Sequence, residues 1–118
     1  RGRFIALVVD RDVKGTGLKT EFFDEATTVP TGHARLALRT GAWILPATTY
    51  RAHDHRIIID IRPPIIPDAN LDTEESLVVR CLRVLEEFIR AHPDQWSSFY
   101  HLWSRTELPI WRRYAKRR

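Results

Sequence analysis

Three patterns in the 118-residue sequence predict an α/β fold. Strand-length runs of branched apolar residues lie at 4–9 and 55–61, and a 3.6-residue apolar period runs through 72–92. The third pattern is their order: strand, strand, helix, strand, strand, helix, helix. With 43% hydrophobic and 29% charged residues, the chain has the composition of a packed domain rather than a disordered segment.

Residues 4–9 contain no polar side chain, as expected of a strand buried on both faces. The run ends at Asp10-Arg11-Asp12, and ligands of open α/β sheets bind at the carboxyl ends of strands. Gly15-Thr16-Gly17 marks a turn, and residues 18–23 form a second extended segment. Alternation there puts Glu21 on the side of Phe23 and opposite Phe22, so Glu21 is expected to face the interior. A buried carboxylate needs a partner, and the competing reading is an edge-strand glutamate in water.

Thr31 is placed to cap a short helix over 31–40, with Gly41 as its C′ residue. Ala34, Ala37, Leu38 and Gly41 give that helix a small-residue stripe for close packing. Strands at 43–51 and 55–61 are joined through Ala52-His53-Asp54, and Pro63-Pro64 ends the second. The helix over 72–92 opens with Asp72 and Glu75 in capping-box spacing. Its apolar face is Leu77, Val78, Cys81, Leu82, Leu85, Phe88 and Ile89. Pro93 then starts another helix, with Trp96, Phe99, Tyr100 and Trp103 spaced to share one face.

Composition removes several function classes. Cys81 is the single cysteine, which excludes an internal disulfide or a thiolate metal cluster, and its apolar neighbours make it a small core residue. The net charge is +4, and residues 112–118 carry five cations and no acid. Trp111 and Tyr114 stand beside Arg112 and Arg113 in that tail, a mixture suited to the head-group layer of an anionic membrane. The remainder is near neutral, which argues against a face built for nucleic acid. No apolar run approaches a membrane span. The chain lacks methionine and opens on Arg1-Gly2-Arg3-Phe4, so it is expected to be a piece of a longer polypeptide.

Thr31 and Gly32 at a helix start, with Arg35 and Arg39, could hold a phosphate through backbone N–H groups and guanidinium forks, with His33 a weaker member. Arginines one turn apart also commonly form a solvated face. His53-Asp54-His55 is too thin for a zinc site and reads as a polar hairpin tip, so no metal is expected. His55 and Asp60 match a His-x4-Asp text pattern, but residues five apart in a strand point to opposite faces.

A family resemblance rests on an ordered set of phrases. They are Leu7-Val8-Val9-Asp10-Arg11-Asp12, Glu21-Phe22-Phe23, and Pro30-Thr31-Gly32-His33-Ala34-Arg35-Leu36-Ala37-Leu38-Arg39-Thr40-Gly41-Ala42. Ile44-Leu45-Pro46, Pro63-Pro64-Ile65 and Phe88-Ile89-Arg90-Ala91-His92-Pro93-Asp94-Gln95-Trp96 complete it. In order and spacing these resemble the lipid A biosynthesis acyltransferases, a lysophospholipid-acyltransferase-like family that includes the phosphatidylinositol mannoside acyltransferases. The resemblance implies transfer of a fatty acyl group from an acyl thioester to a hydroxyl of a membrane glycolipid or lysophospholipid. It implies no cofactor, with acyl-carrier protein or coenzyme A as the thioester carrier.

In that family a His-x4-Asp/Glu motif supplies the general base, and it lies upstream of the phrases seen here. Residues 1–118 would then be one carboxy-terminal segment of the acyltransferase domain, part of a glycerolipid-acyltransferase-like sheet with flanking helices, and inactive alone. The resemblance assigns Glu21, with Asp10 and Asp12, to support of catalysis. Arg11 at the strand end, and Thr31, Gly32, Arg35 and Arg39 by their helix-start chemistry, are the candidate substrate-binding residues, and the tail's composition makes Trp111, Arg112, Arg113 and Tyr114 the candidate membrane contact. The family's glycine after the two aromatics is Asp24 here, so a different local turn is expected. The implied location is peripheral, on the cytoplasmic face of a bacterial inner membrane. Rival readings are a non-catalytic membrane-peripheral binding module and a basic nucleic-acid-binding domain.

Overall fold

The computed structural model describes residues 2–98, 102 and 103. Its elements run β1 (Leu18–Phe22), β2 (Glu25–Val29), α1 (Gly32–Thr40), β3 (Ala47–Arg51), β4 (Ile57–Ile61) and α2 (Glu74–Ala91), followed by a 3-10 turn at Pro93–Gln95. The strands form two antiparallel hairpins, β1–β2 and β3–β4, and α2 packs against α1 and β1.

The segment expected as the first buried strand forms no strand. Residues 4–9 are extended chain, with Phe4 and Val8 fully or largely exposed. A strand needs a neighbour to take up its N–H and C=O groups, and no described strand pairs with this run. β1 forms as expected. β2 was not anticipated, because Glu-Ala-Thr-Thr-Val carries too little apolar alternation to stand out.

α1 ends at Gly41, whose φ of 70° is the left-handed conformation glycine tolerates, and the Gly41 N–H returns to the Ala37 carbonyl. Thr31 precedes the helix but makes no side-chain cap bond. α2 is capped one residue later than the spacing suggested. Thr73 Oγ1 accepts the Ser76 N–H at 3.1 Å, and Ser76 Oγ accepts the Thr73 N–H at 3.0 Å. The Thr73 carbonyl already receives Leu77 N–H, which makes Thr73 the cap, while Asp72 instead accepts the Asp68 N–H and the Ser76 hydroxyl. Pro93 stops α2 by forcing His92 out of helical geometry (φ −141°, ψ 65°).

The expected helix after Pro93 is also replaced. One 3-10 turn forms, and Trp96 is extended at φ −97°, ψ 115°. Trp96 and Trp103 therefore do not share a helix face; they meet edge-on, 6.4 Å apart. Phe99 and Tyr100 lie outside the described residues.

The core is Phe22 and Val29 from the first hairpin, Ala34 and Ala37 from α1, Ile65, and Leu77, Val78, Cys81, Leu82 and Ile89 from α2. Leu77 and Val78 are completely buried, each stabilising the fold by roughly 1.5–3 kcal/mol. Cys81 sits in this core as the sequence suggested, and burial pushes its thiol up to about 11.

The second hairpin is shorter than predicted, but its isoleucine strand and proline stop are in place. An isolated bridge between Ile44 and Ile65 extends the pairing past Pro46. Two side chains near the end of α2 secure this hairpin: His92 stacks on Tyr50 at 3.8 Å, and Gln95 bonds both the N–H (2.7 Å) and the carbonyl (2.9 Å) of Arg51. Gln95 thereby mimics a neighbouring strand at the exposed edge of β3.

Candidate functional site

The first hairpin has two ends, and the candidate residues divide between them. At the turn end, Phe23 and Asp24 form a two-residue connection with φ of 54° and 59°. Positive φ at both central positions is the pattern of a type I′ turn, which matches the twist of the flanking strands. Asp24 thus adopts the conformation that glycine favours, so the aspartate does not forbid the turn a glycine there would make.

Glu21 does not face inward. It is exposed, and Phe22 is buried at 1% exposure, packed against Phe23, Trp96 and Trp103. The burial of the larger apolar ring sets the register of the strand, and Glu21 follows to the other face. The inward carboxylate belongs instead to Glu86 of α2, also 1% exposed. Its Oε1 accepts the Phe23 N–H at 2.9 Å and an Arg83 N–H at 3.0 Å; Oε2 receives Arg83 at 3.1 Å and lies 3.4 Å from Arg90. Burial pushes the Glu86 carboxyl up, but the Phe23 N–H, the Arg83 hydrogen bond and the charges of Arg83 and Arg90 outweigh it. The net effect holds Glu86 below the ordinary carboxylate range. Arg90 also lies over the Phe23 ring, 4.9 Å from its centre.

Sequence reasoning missed Glu86. The signal was present: it is four residues after Leu82 and three before Ile89, inside the apolar stripe of a helix. A charge at such a position calls for buried partners.

Asp10 lies on the turn side through an aromatic link. It accepts the Trp96 indole N–H at 3.1 Å, and Trp96 is edge-on to Phe22. Asp12 has a local structural task. Its two oxygens accept the N–H groups of Gly15 (3.1 Å) and Gly17 (2.8 Å), closing the loop that enters β1. Gly17 is required there, since a Cβ would meet the Val29 carbonyl oxygen at 2.1 Å. Arg11 is exposed on the same loop.

That loop and the start of α1 share the other end of the hairpin, because Val29 leads through Pro30 to Thr31. Here Arg35 reaches back to Thr31 Oγ1 at 3.3 Å, but its fork is taken by Glu74 of α2 at 2.9 and 3.2 Å. Hydrogen bonding and charge between the pair raise the Arg35 pKa and lower that of Glu74. The pair is exposed, and it would have to open for Arg35 to grip a phosphate. Arg39 is in the last turn of α1, away from Thr31 and Gly32. The structure therefore groups Thr31, Gly32 and Arg35 and leaves Arg39 apart.

His33 is buried on the opposite side of the helix start. Its Nε2 has no hydrogen-bond partner among the described residues, and burial lowers its pKa, favouring the neutral ring. A neutral, buried imidazole adds no charge to an anion site.

At the tip of the second hairpin, His55 is not in a strand. It takes φ 67° in the turn, while Asp60 is in β4 and receives Arg62 at 3.2 Å. Asp54 is engaged by Arg56 at 2.6 Å. Trp111, Arg112, Arg113 and Tyr114 lie outside the described residues.

The sequence matches the family model described as bacterial lipid A biosynthesis acyltransferase over residues 1–105. The chain belongs to this family. It is also similar to the phosphatidylinositol mannoside acyltransferases of Mycobacterium tuberculosis (strains H37Rv and CDC 1551 / Oshkosh) and Mycolicibacterium smegmatis. Each is 46% identical over 44 residues, 37% of this chain. The matched stretch spans 14% of the length of those curated relatives.

Proposed function

We propose that this chain works in transfer of a fatty acyl group from an acyl thioester to a hydroxyl of a membrane glycolipid or lysophospholipid. The observation that carries the reading is membership of the acyltransferase family over residues 1–105. In the intact enzyme a histidine upstream of this segment takes the proton of the acceptor hydroxyl as its oxygen attacks the thioester carbonyl. The C–O bond forms, the C–S bond breaks, and the imidazolium returns the proton to the departing thiolate. No cofactor takes part, and the thioester carrier is acyl-carrier protein or coenzyme A.

This segment contributes polar lining around the β1–β2 hairpin. Glu21, Asp24 and Glu25 are exposed around the turn, and Asp10 is held nearby through Trp96. At the far end, Thr31, Gly32 and Arg35 form the candidate phosphate contact, reached when Glu74 gives way. Arg11 and Arg39 remain exposed cations that could meet an anionic head group from outside. His55 and Asp60 do not serve as a dyad, because one is in a turn and the other is paired with Arg62.

No helix among the described residues is long and apolar enough to cross a membrane. Attachment at the cytoplasmic face of the inner membrane is assigned to the tail, where Trp111 and Tyr114 stand among five cations in residues 112–118. The phosphatidylinositol mannoside named for the relatives is a sensible first acceptor to test. The decisive assay incubates the full-length protein, and separately residues 1–118, with radiolabelled palmitoyl-coenzyme A and that acceptor in mixed micelles. Labelled lipid is expected from the full-length protein and not from residues 1–118 alone. Absence of product from the full-length protein, with both coenzyme A and carrier-protein donors, would contradict the reading.

A further inference from the structure

Glu86 is a buried charge where packing alone asks for none. Replacing a buried ionic cluster by apolar side chains of similar volume is often neutral or stabilising, so fold stability is a poor account of this carboxylate. What it holds is more informative. Phe23 has φ 54°, a region unfavourable for a bulky L-residue, and Asp24 follows at 59°.

Four contacts converge on Phe22 and Phe23. Glu86 takes the Phe23 N–H, Arg90 covers the Phe23 ring, the Trp103 indole N–H bonds the Phe22 carbonyl at 2.8 Å, and the Phe22 ring stacks on Trp103. Thr27 adds a hydroxyl bond to the Leu102 carbonyl beside this site. Backbone strain persists only where its surroundings over-determine it, and such places cluster at active sites and ligand clamps.

We propose that Glu86 is a positioning residue of the acyl-transfer site: from α2 it fixes the Phe23–Asp24 turn and so the direction of the carboxylates flanking it. This rests on the acyltransferase reading above. Glu86 touches no substrate; it acts through the backbone of Phe23. Arg83 and Arg90 complete the grip, each with half or more of its side chain in water. A displacement of about 1 Å in a reacting constellation can cost 10²-fold in rate, which is the scale expected if the turn relaxes.

The test uses the full-length protein and three substitutions. Glu86→Leu keeps apolar volume and removes the grip; Glu86→Gln keeps an acceptor for the Phe23 N–H but gives up the charge; Leu82→Val weakens the same helix away from the turn. Steady-state transfer from palmitoyl-coenzyme A to phosphatidylinositol mannoside is measured beside thermal unfolding. Glu86→Leu leaves the Phe23 N–H unpaired and is expected to unfold at a lower temperature than the parent, yet, assayed where it is fully folded, to lose about 10²-fold in kcat with KM changed less than threefold. Glu86→Gln is expected to fall between, and Leu82→Val to lose stability while keeping kcat. Parental kcat in both Glu86 variants would overturn the proposal, as would a loss of kcat that merely follows the folded fraction. No turnover by the parent protein would remove the acyltransferase reading itself, and the positioning role with it.

Discussion

The two hairpins have the same strand lengths and the same antiparallel pairing, and both have strands tied to distant residues, yet their turns are held in opposite ways. The β3–β4 tip is tied by its own residues: Ala52 bonds His55 and Arg56 through the backbone, and Asp54 pairs with Arg56 in water. The β1–β2 turn is held by residues far away in sequence, with Glu86 bonded to Phe23 across 63 positions and Trp103 to Phe22 across 81. A locally tied tip can move without disturbing the core. A turn clasped by a buried carboxylate and two aromatic rings cannot, and its conformation becomes a property of the whole domain.

The largest effect that would sharpen this contrast is on stability. Glu86→Ala leaves the part-buried Phe23 N–H without its acceptor, costing about 1–3 kcal/mol. Arg83 and Arg90 are half or more exposed and can rehydrate, so the loss stays below the 3–5 kcal/mol typical of a broken fully buried pair. Urea unfolding of the parent and the variant measures it. Glu86→Leu refills the space but leaves the same N–H unpaired, so it is expected to recover only the packing part of that loss. At the other hairpin, Asp54→Ala removes an exposed pair and is expected to change stability by no more than about 0.5 kcal/mol in the same experiment. A loss at Asp54 equal to that at Glu86 would erase the distinction between the hairpins.

The same contrast explains what the sequence made legible. Residues 57–61 are strand-like in composition, the helix at 72–92 is periodic, Gly41 ends α1 and Pro63-Pro64 follows β4; each signal lies within a few residues of the structure it forms. The β1–β2 turn has no such signal. Its central pair is Phe-Asp rather than Asn-Gly, and the residues that enforce positive φ come from α2 and from Trp103. Strand alternation fixes which residues share a face but not which face is inside, so it sets Glu21 opposite Phe22 without deciding which of the two is buried. Phe22 decided that by packing against Trp96 and Trp103. Residues 4–9 failed for the converse reason, since an apolar run becomes a strand only beside a partner. At the α1 end, local spacing puts Arg35 one turn from Thr31 and Arg39 a further turn away, while Glu74, the partner that occupies Arg35, is 39 residues further on and invisible to it.

Amide hydrogen exchange read against pH tests most directly whether Glu86 holds Phe23. The Glu86 carboxyl is lowered in the folded state, so its contribution is complete above the ordinary carboxylate pKa and disappears only as pH falls through the lowered value. The protection factor of the Phe23 amide is therefore expected to be full above the ordinary carboxylate range, to fall progressively below it, and to be lost once pH passes the lowered value. In Glu86→Leu that protection should be low at every pH, while the His55 amide of the second hairpin responds to neither change. Protection at Phe23 that survives Glu86→Leu, or that vanishes in step with His55, would contradict the claim that α2 holds this turn.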